Sequence, residues 1–156
     1  MNFVEIGRIL TPHKQAAGTP IQPTCATGIE GTVVVYPEYA EGLKDLDGFD
    51  RIWLVFLCHR ATPAAMHVIP YRDTVQRGIF ATRAPARPNP IGLSCVRLGG
   101  VVGNRLTVFD VDILDGTPLL DIKPYVPEYD TFEVQRCGWI DQADREVRVA
   151  DSRFQR

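Results

Sequence analysis

The chain has 156 residues, a length typical of one domain, with 45% hydrophobic residues and a formal net charge of −2. That balance excludes a chain-wide basic footprint for nucleic acid, and no apolar run approaches the roughly 20 residues of a membrane-spanning helix. The first ten residues, MNFVEIGRIL, lack the basic start and long apolar stretch of a secretion signal, so a cytoplasmic protein is expected.

Taken in order, the periodicities are those of strands. Val4–Leu10 is the first, short candidate. A proline-containing loop is expected from Thr11 to Thr27. Gly31–Tyr36 (GTVVVY) is β-branched and bounded by Gly and Pro, and Tyr39–Lys44 allows one helical turn. Arg51–His59 (RIWLVFLCH) is apolar enough for a central strand. A second loop region, Ala61–Arg87, leads to a strand at Ser94–Leu98. Gly99-Gly100 and Gly103-Asn104 flank Val101-Val102 and predict a tight connection or hairpin. Arg105–Leu114 alternates with period two, which places Phe109, Val111 and Ile113 on one face and Asp110 and Asp112 on the other. Phe132–Arg136 is a further strand candidate, and Asp141–Val147 a short terminal helix.

Many short strands with Gly/Pro turns and little helix predict a mainly β chain, a compact β-barrel with short helices and long Pro-rich loops. No repeat, low-complexity tract or linker interrupts it, so residues 1–156 read as a single domain. No GxGxxG follows a strand, and the P-loop and GxSxG patterns are missing, so a nucleotide-binding Rossmann unit is not expected. The cysteines (Cys25, Cys58, Cys95, Cys137) form no CxxC pair, and the histidines (His13, His59, His67) lack ligand spacing, so no metal is expected. Cys58 and Cys95 read as buried thiols. Cys58 and His59 are adjacent on a predicted strand and should point to opposite faces, which argues against a nucleophile pair.

Phe80–Ser94, FATRAPARPNPIGLS, is the densest signal in the chain. Pro85, Pro88 and Pro90 fix their own φ and push Ala84, Arg87 and Asn89 to extended conformations. A stiff track carrying Arg83, Arg87 and the Asn89 carboxamide loses little entropy on binding, although a solvated, proline-stiffened surface loop would look the same. Asp110–Tyr125, DVDILDGTPLLDIKPY, is the second rich segment. Asp115-Gly116 marks a turn whose carboxylate either caps the turn or grips a polar ligand. Asp121 and Lys123 share a face if that piece is extended and would pair. Tyr125 either stacks on a base or joins the core. Gln22, between Pro20 and Pro23, offers a carboxamide to a heterocycle or to backbone.

Together these segments carry a family resemblance. GTPIQP (Gly18–Pro23), LDGFD (Leu46–Asp50), FLCH (Phe56–His59), the Phe80–Ser94 run and DGTPLLDIKPY (Asp115–Tyr125) are similar to the TsaA-like, TrmO-type tRNA methyltransferases over nearly the whole chain. The resemblance implies a non-Rossmann β-barrel that binds S-adenosyl-L-methionine near the interface of a homodimer. It implies N6-methylation of the threonylcarbamoyl-modified adenosine next to the tRNA anticodon. Cofactor contacts carry over to Pro20, Ile21, Gln22, His59, Arg60, Arg83, Leu93, Ile113, Leu114, Asp115 and Gly116. Arg87, Asn89, Lys123 and Tyr125 are expected to meet the tRNA or its target base, with the Asn89 carboxamide accepting from the exocyclic amine as the candidate catalytic group. Two departures stand out: many relatives have arginine where this chain has Ile21, and larger bacterial relatives carry an extra C-terminal domain beyond the barrel. Methylation of another substrate, or a dimeric barrel that binds the donor without catalysis, are the alternatives.

Overall fold

The computed structural model describes residues 2–156. Eight strands form: β1 (Gly7–Leu10), β2 (Glu30–Val35), β3 (Arg51–Leu57), β4 (His67–Val68), β5 (Arg77–Gly78), β6 (Ile91–Val102), β7 (Arg105–Phe109) and β8 (Thr117–Pro124). Six of them close into an antiparallel barrel in the order β1-β2-β7-β6-β3-β8, while β4 and β5 pair separately. Alternation decides which side chains fill it. Val33 and Val35 of β2, Ile52 and Leu54 of β3, Val96 of β6, and Leu106 and Val108 of β7 all point inward and are buried with Ile9 and Leu119. Each contributes roughly 1.5–3 kcal/mol relative to exposure, so the barrel interior holds most of the molecule's hydrophobic stabilisation. A second, smaller cluster of Val68, Ile79, Ala84, Ala86 and Phe154 lies outside the barrel, under the proline-rich segment.

Several expectations are corrected. The Arg105 strand ends at Phe109, not Leu114, because Asp110 adopts a left-handed conformation (φ 66°). Asp110 is fixed there by accepting from the Gly28 N–H at 2.9 Å and pairing with Arg51 at 2.9 Å. The break resets the phase. Leu106 and Val108 face inward before it and Val111 and Ile113 after it, while Phe109 faces out beneath the Arg97 guanidinium. The first strand is limited to Gly7–Leu10, and Ser94–Leu98 is the middle of a longer strand. The DGTPLLDIKPY run contains β8, whose Asp121 and Lys123 do pair at 2.8 Å. Phe132–Arg136 is not a strand and Asp141–Val147 is not a helix. The helical pieces are instead 3-10 turns such as Pro37–Leu43 and Gly138–Gln142, and one α-turn, α1 (Pro127–Asp130). The Val102–Arg105 hairpin is as expected, turning through Gly103 at φ 61°.

Candidate functional site

At the barrel end where β3 finishes, five loops and the C-terminal tail enclose a cavity of about 410 Å³. Its floor comes from the strands. Phe56 lies over Gly92, its cross-strand partner, at a place where any Cβ would occupy the ring's own volume. Past Leu57 the backbone leaves the ladder: the Cys58 N–H donates to Pro90 O and the His59 N–H to Leu57 O, both at 2.7 Å. That turn lets Cys58 and His59 line the same cavity, against the strand-based expectation of opposite faces. Burial pushes the Cys58 thiol up to about 11, so it stays protonated and is not a nucleophile near neutral pH.

The proline-rich segment forms one wall. A single Arg87 amine donates to Ile79 O at 3.0 Å and Thr82 O at 2.8 Å, and Thr82 Oγ1 accepts from the Ala84 N–H at 3.2 Å. This internal bracing presents Thr82–Pro85 to the cavity. Arg83 then reaches across to Gln22, donating to its Oε1 at 3.0 Å, and so ties this wall to the Pro20–Gln22 loop. That loop is itself pinned by the tail: Ala150 N–H donates to Thr19 O at 2.7 Å and Ile21 N–H to Arg148 O at 3.1 Å. Gln155 Oε1 accepts from the Ala16 N–H at 2.6 Å, so Ala150, Phe154 and Gln155 complete the enclosure.

The last wall is Asp112–Leu114, delivered by the Asp110 break. Ile113 is buried, and its carbonyl accepts from Thr11 Oγ1 at 2.7 Å. Asp112 Oδ1 accepts from Ser94 Oγ at 2.7 Å, and the carboxyl is pushed up to about 6, chiefly by burial. His59 is held below its usual value, first by burial and then by the adjacent Arg60 guanidinium. Arg60, Arg72 and Arg83 all line the cavity, and among the described residues none has a carboxylate partner. Arg60 and Arg72 donate instead to the carbonyls of Lys14 and Val147. The mouth is therefore cationic and the interior mostly apolar, with one carboxylate inside.

Of the residues singled out in the sequence, Pro20, Ile21, Gln22, His59, Arg60, Arg83, Ile113 and Leu114 are brought together here. Asp115 and Gly116 are adjacent but turned away. The Asp115 oxygens accept from Thr11 N–H at 2.9 Å and Lys14 Nζ at 2.6 Å, and Lys14 above all holds the carboxyl below its usual range. Leu93 is on the outer barrel face, 50% exposed. Arg87 is spent on the carbonyls above, and Asn89 is exposed outside the cavity. Lys123 and Tyr125 are at the opposite barrel end, where β8 pairs with the start of β3 and Tyr125 packs edge-on to Trp53. Sequence reasoning missed Asp112, which the alternation placed only on the face opposite Val111 and Ile113. It also missed Tyr71, Trp139 and Phe154, which reach the cavity through long-range folding that no local pattern announces.

A closed barrel with a loop-built, arginine-rimmed cavity at one end defines a small-ligand-binding barrel without a glycine-rich phosphate loop. Residues 8–131 match the tRNA-methyltransferase O N-terminal domain. The chain belongs to that family. It is 53% identical over 151 residues to a probable S-adenosyl-L-methionine-binding protein of Pyrococcus abyssi, covering 96% of this chain and 82% of that one. It is 36% identical over 135 residues to the tRNA (adenine(37)-N6)-methyltransferase of Escherichia coli, covering 80% of this chain and 57% of the enzyme. The crystal structure of TrmO from Pseudomonas aeruginosa superposes with a TM-score of 0.74 at 38% identity, covering 88% of this chain and 62% of that one. The chain thus spans less than two thirds of the length of these last two relatives. Among the described residues no helix is long and apolar enough to cross a membrane.

Proposed function

We propose that this protein binds S-adenosyl-L-methionine in the cavity and transfers its methyl group to N6 of the threonylcarbamoyl-modified adenosine beside a tRNA anticodon. One observation carries the reading: in a chain of this family, Arg83–Pro85 of the proline-rich run and Ile113–Leu114 of the aspartate-rich run line one and the same cavity. The residues present fit the donor. A cavity of about 410 Å³ is of small-molecule size. Its apolar lining suits an adenosyl group, and the unpaired arginines suit the donor's carboxylate. When bound, the sulfonium supplies a methyl group with a good leaving group already attached.

The chain's own task is then placement. The target base lies in a single-stranded loop and can be splayed out without opening a duplex. Arg60, Arg72 and Arg83 at the rim would meet phosphate or carboxylate, and the enclosed walls would exclude water and hold the acceptor in line. A homodimer belongs to the same proposal. Leu93 and Ile91 leave apolar surface on the outer barrel face close to the strand that supports Phe56, where a second copy would approach. So does a single barrel domain working in the cytoplasm.

Calorimetry with S-adenosyl-L-methionine should give saturable binding, lost when Arg83 and Gln22 are both replaced by alanine. Mass spectrometry of tRNA nucleosides should show the methylated threonylcarbamoyl-adenosine only in cells carrying the gene. Binding without any change in the nucleosides would favour a donor-binding protein that performs no transfer to tRNA.

A further inference from the structure

Asp112 is unusual among the cavity-lining groups. It is a carboxylate in a cavity whose lining also includes Phe56, Ile113 and Ala84, and one of its oxygens is held by Ser94 from the inward face of β6. Among the described residues no other side chain donates to it, so acceptor capacity remains open to the cavity. The Arg83 guanidinium acts on it from the proline-rich wall as a charge, and Cys58 faces it from the end of β3. We propose that Asp112, oriented by Ser94, takes the proton released by the acceptor nitrogen during methyl transfer. This rests on the methyltransferase reading above.

The step balances. Asp112 receives the N–H proton while the nitrogen's electron pair forms the bond to the methyl carbon and the S–C pair returns to sulfur. A cation and a carboxylate enter, and a neutral thioether and a carboxylic acid leave. Removing an opposite-charge pair is favoured where water is excluded, because neither product needs solvation as an ion.

The other titratable groups facing the cavity are poorer acceptors. Cys58, pushed to about 11, and Tyr71, pushed to about 12, are protonated near neutral pH. Arg60, Arg72 and Arg83 have no lone pair to offer. His59 is the competitor. Thr117 Oγ1 gives its proton to Leu114 O at 2.7 Å, so its 3.4 Å contact with His59 Nδ1 makes the ring the donor there and leaves Nε2 free. Protonating Nε2, however, would create an imidazolium beside Arg60, whereas protonating Asp112 removes a buried charge.

The test uses the full chain with S-adenosyl-L-methionine and tRNA carrying threonylcarbamoyl-adenosine, in single turnovers at saturating concentrations across pH 5–9. Asp112→Asn should slow transfer by about 10²–10⁴-fold, the range for loss of a positioned proton acceptor. Its affinity for the neutral S-adenosylhomocysteine should stay within about threefold of wild type, since a general-base role demands little ground-state binding. Ser94→Ala should keep the high-pH rate but move the acidic limb upward, because the lost hydrogen bond favoured the ionised carboxylate. A readout without cofactor runs in parallel: carbon-13 NMR of the Asp112 carboxyl should titrate near 6 and shift upward in Ser94→Ala. Transfer retained in Asp112→Asn, or an acidic limb abolished only by His59→Gln, overturns the assignment alone. A wild-type protein that binds the donor yet methylates no such tRNA overturns the function and the assignment together.

Discussion

Asp112 carries its charge in a place that disfavours it. Ser94 and the Arg83 charge offset only part of the effect of burial, which leaves the folded carboxyl at about 6 against an ordinary 3.8. The native state therefore binds more protons than the unfolded chain between these two values, so this group's contribution to stability falls as pH rises through that window. Asp112→Asn should then be more stable than wild type at pH 7–8, by about 1–3 kcal/mol, even as it slows transfer. The check is thermal melting of both proteins from pH 4 to 8, with the curves converging towards the acid end. Asp115, three residues on, has the opposite sign. Lys14 and the Thr11 N–H favour its ionised form, so the stability it adds is present above its unfolded value and lost as pH falls through the depressed one.

At the scale of elements, the proline-rich wall holds its shape through Arg87. Its amine satisfies carbonyls that face away from any ladder, and deleting it strands them at a cost of about 1–3 kcal/mol. Arg87→Ala should expose Arg83 to tryptic cleavage much faster than in wild type, with barrel amides exchanging at unchanged rates. If Arg87→Lys stays resistant but loses RNA affinity, the arginine serves the RNA instead. These elements also show where sequence reading succeeds. The strands of GTVVVY and RIWLVFL follow from alternation and β-branching, and the proline run declared itself by composition. The Asp110 break did not, because a left-handed aspartate needs Gly28 and Arg51, residues distant in sequence, to hold it. That one dihedral set Phe109 apart from Val111 and Ile113, which the unbroken alternation had placed on one face. Gly92 was legible as part of the PNPIGLS run, but its reason, the Phe56 ring occupying the space a Cβ would need, is a contact between strands.

For the whole molecule, a net charge of −2 with three unpaired arginines at one mouth concentrates attraction for anions in one place. RNA binding should therefore be salt-dependent but shallow, and Arg72→Ala should lower the slope of log affinity against log salt by about 0.7, the value for one phosphate on a single strand. A filter-binding series from low to moderate salt measures it, and an unchanged slope would remove Arg72 from the RNA interface. The circuit from β1 round to β8 has a further consequence for assembly. A ring of strands has no first or last member, so this barrel cannot recruit a neighbour by lending or borrowing a strand. In the proposed homodimer two copies would meet without extending the barrel ladder, and point changes on outward residues such as Ile91 and Leu93 should be enough to separate them without unravelling either.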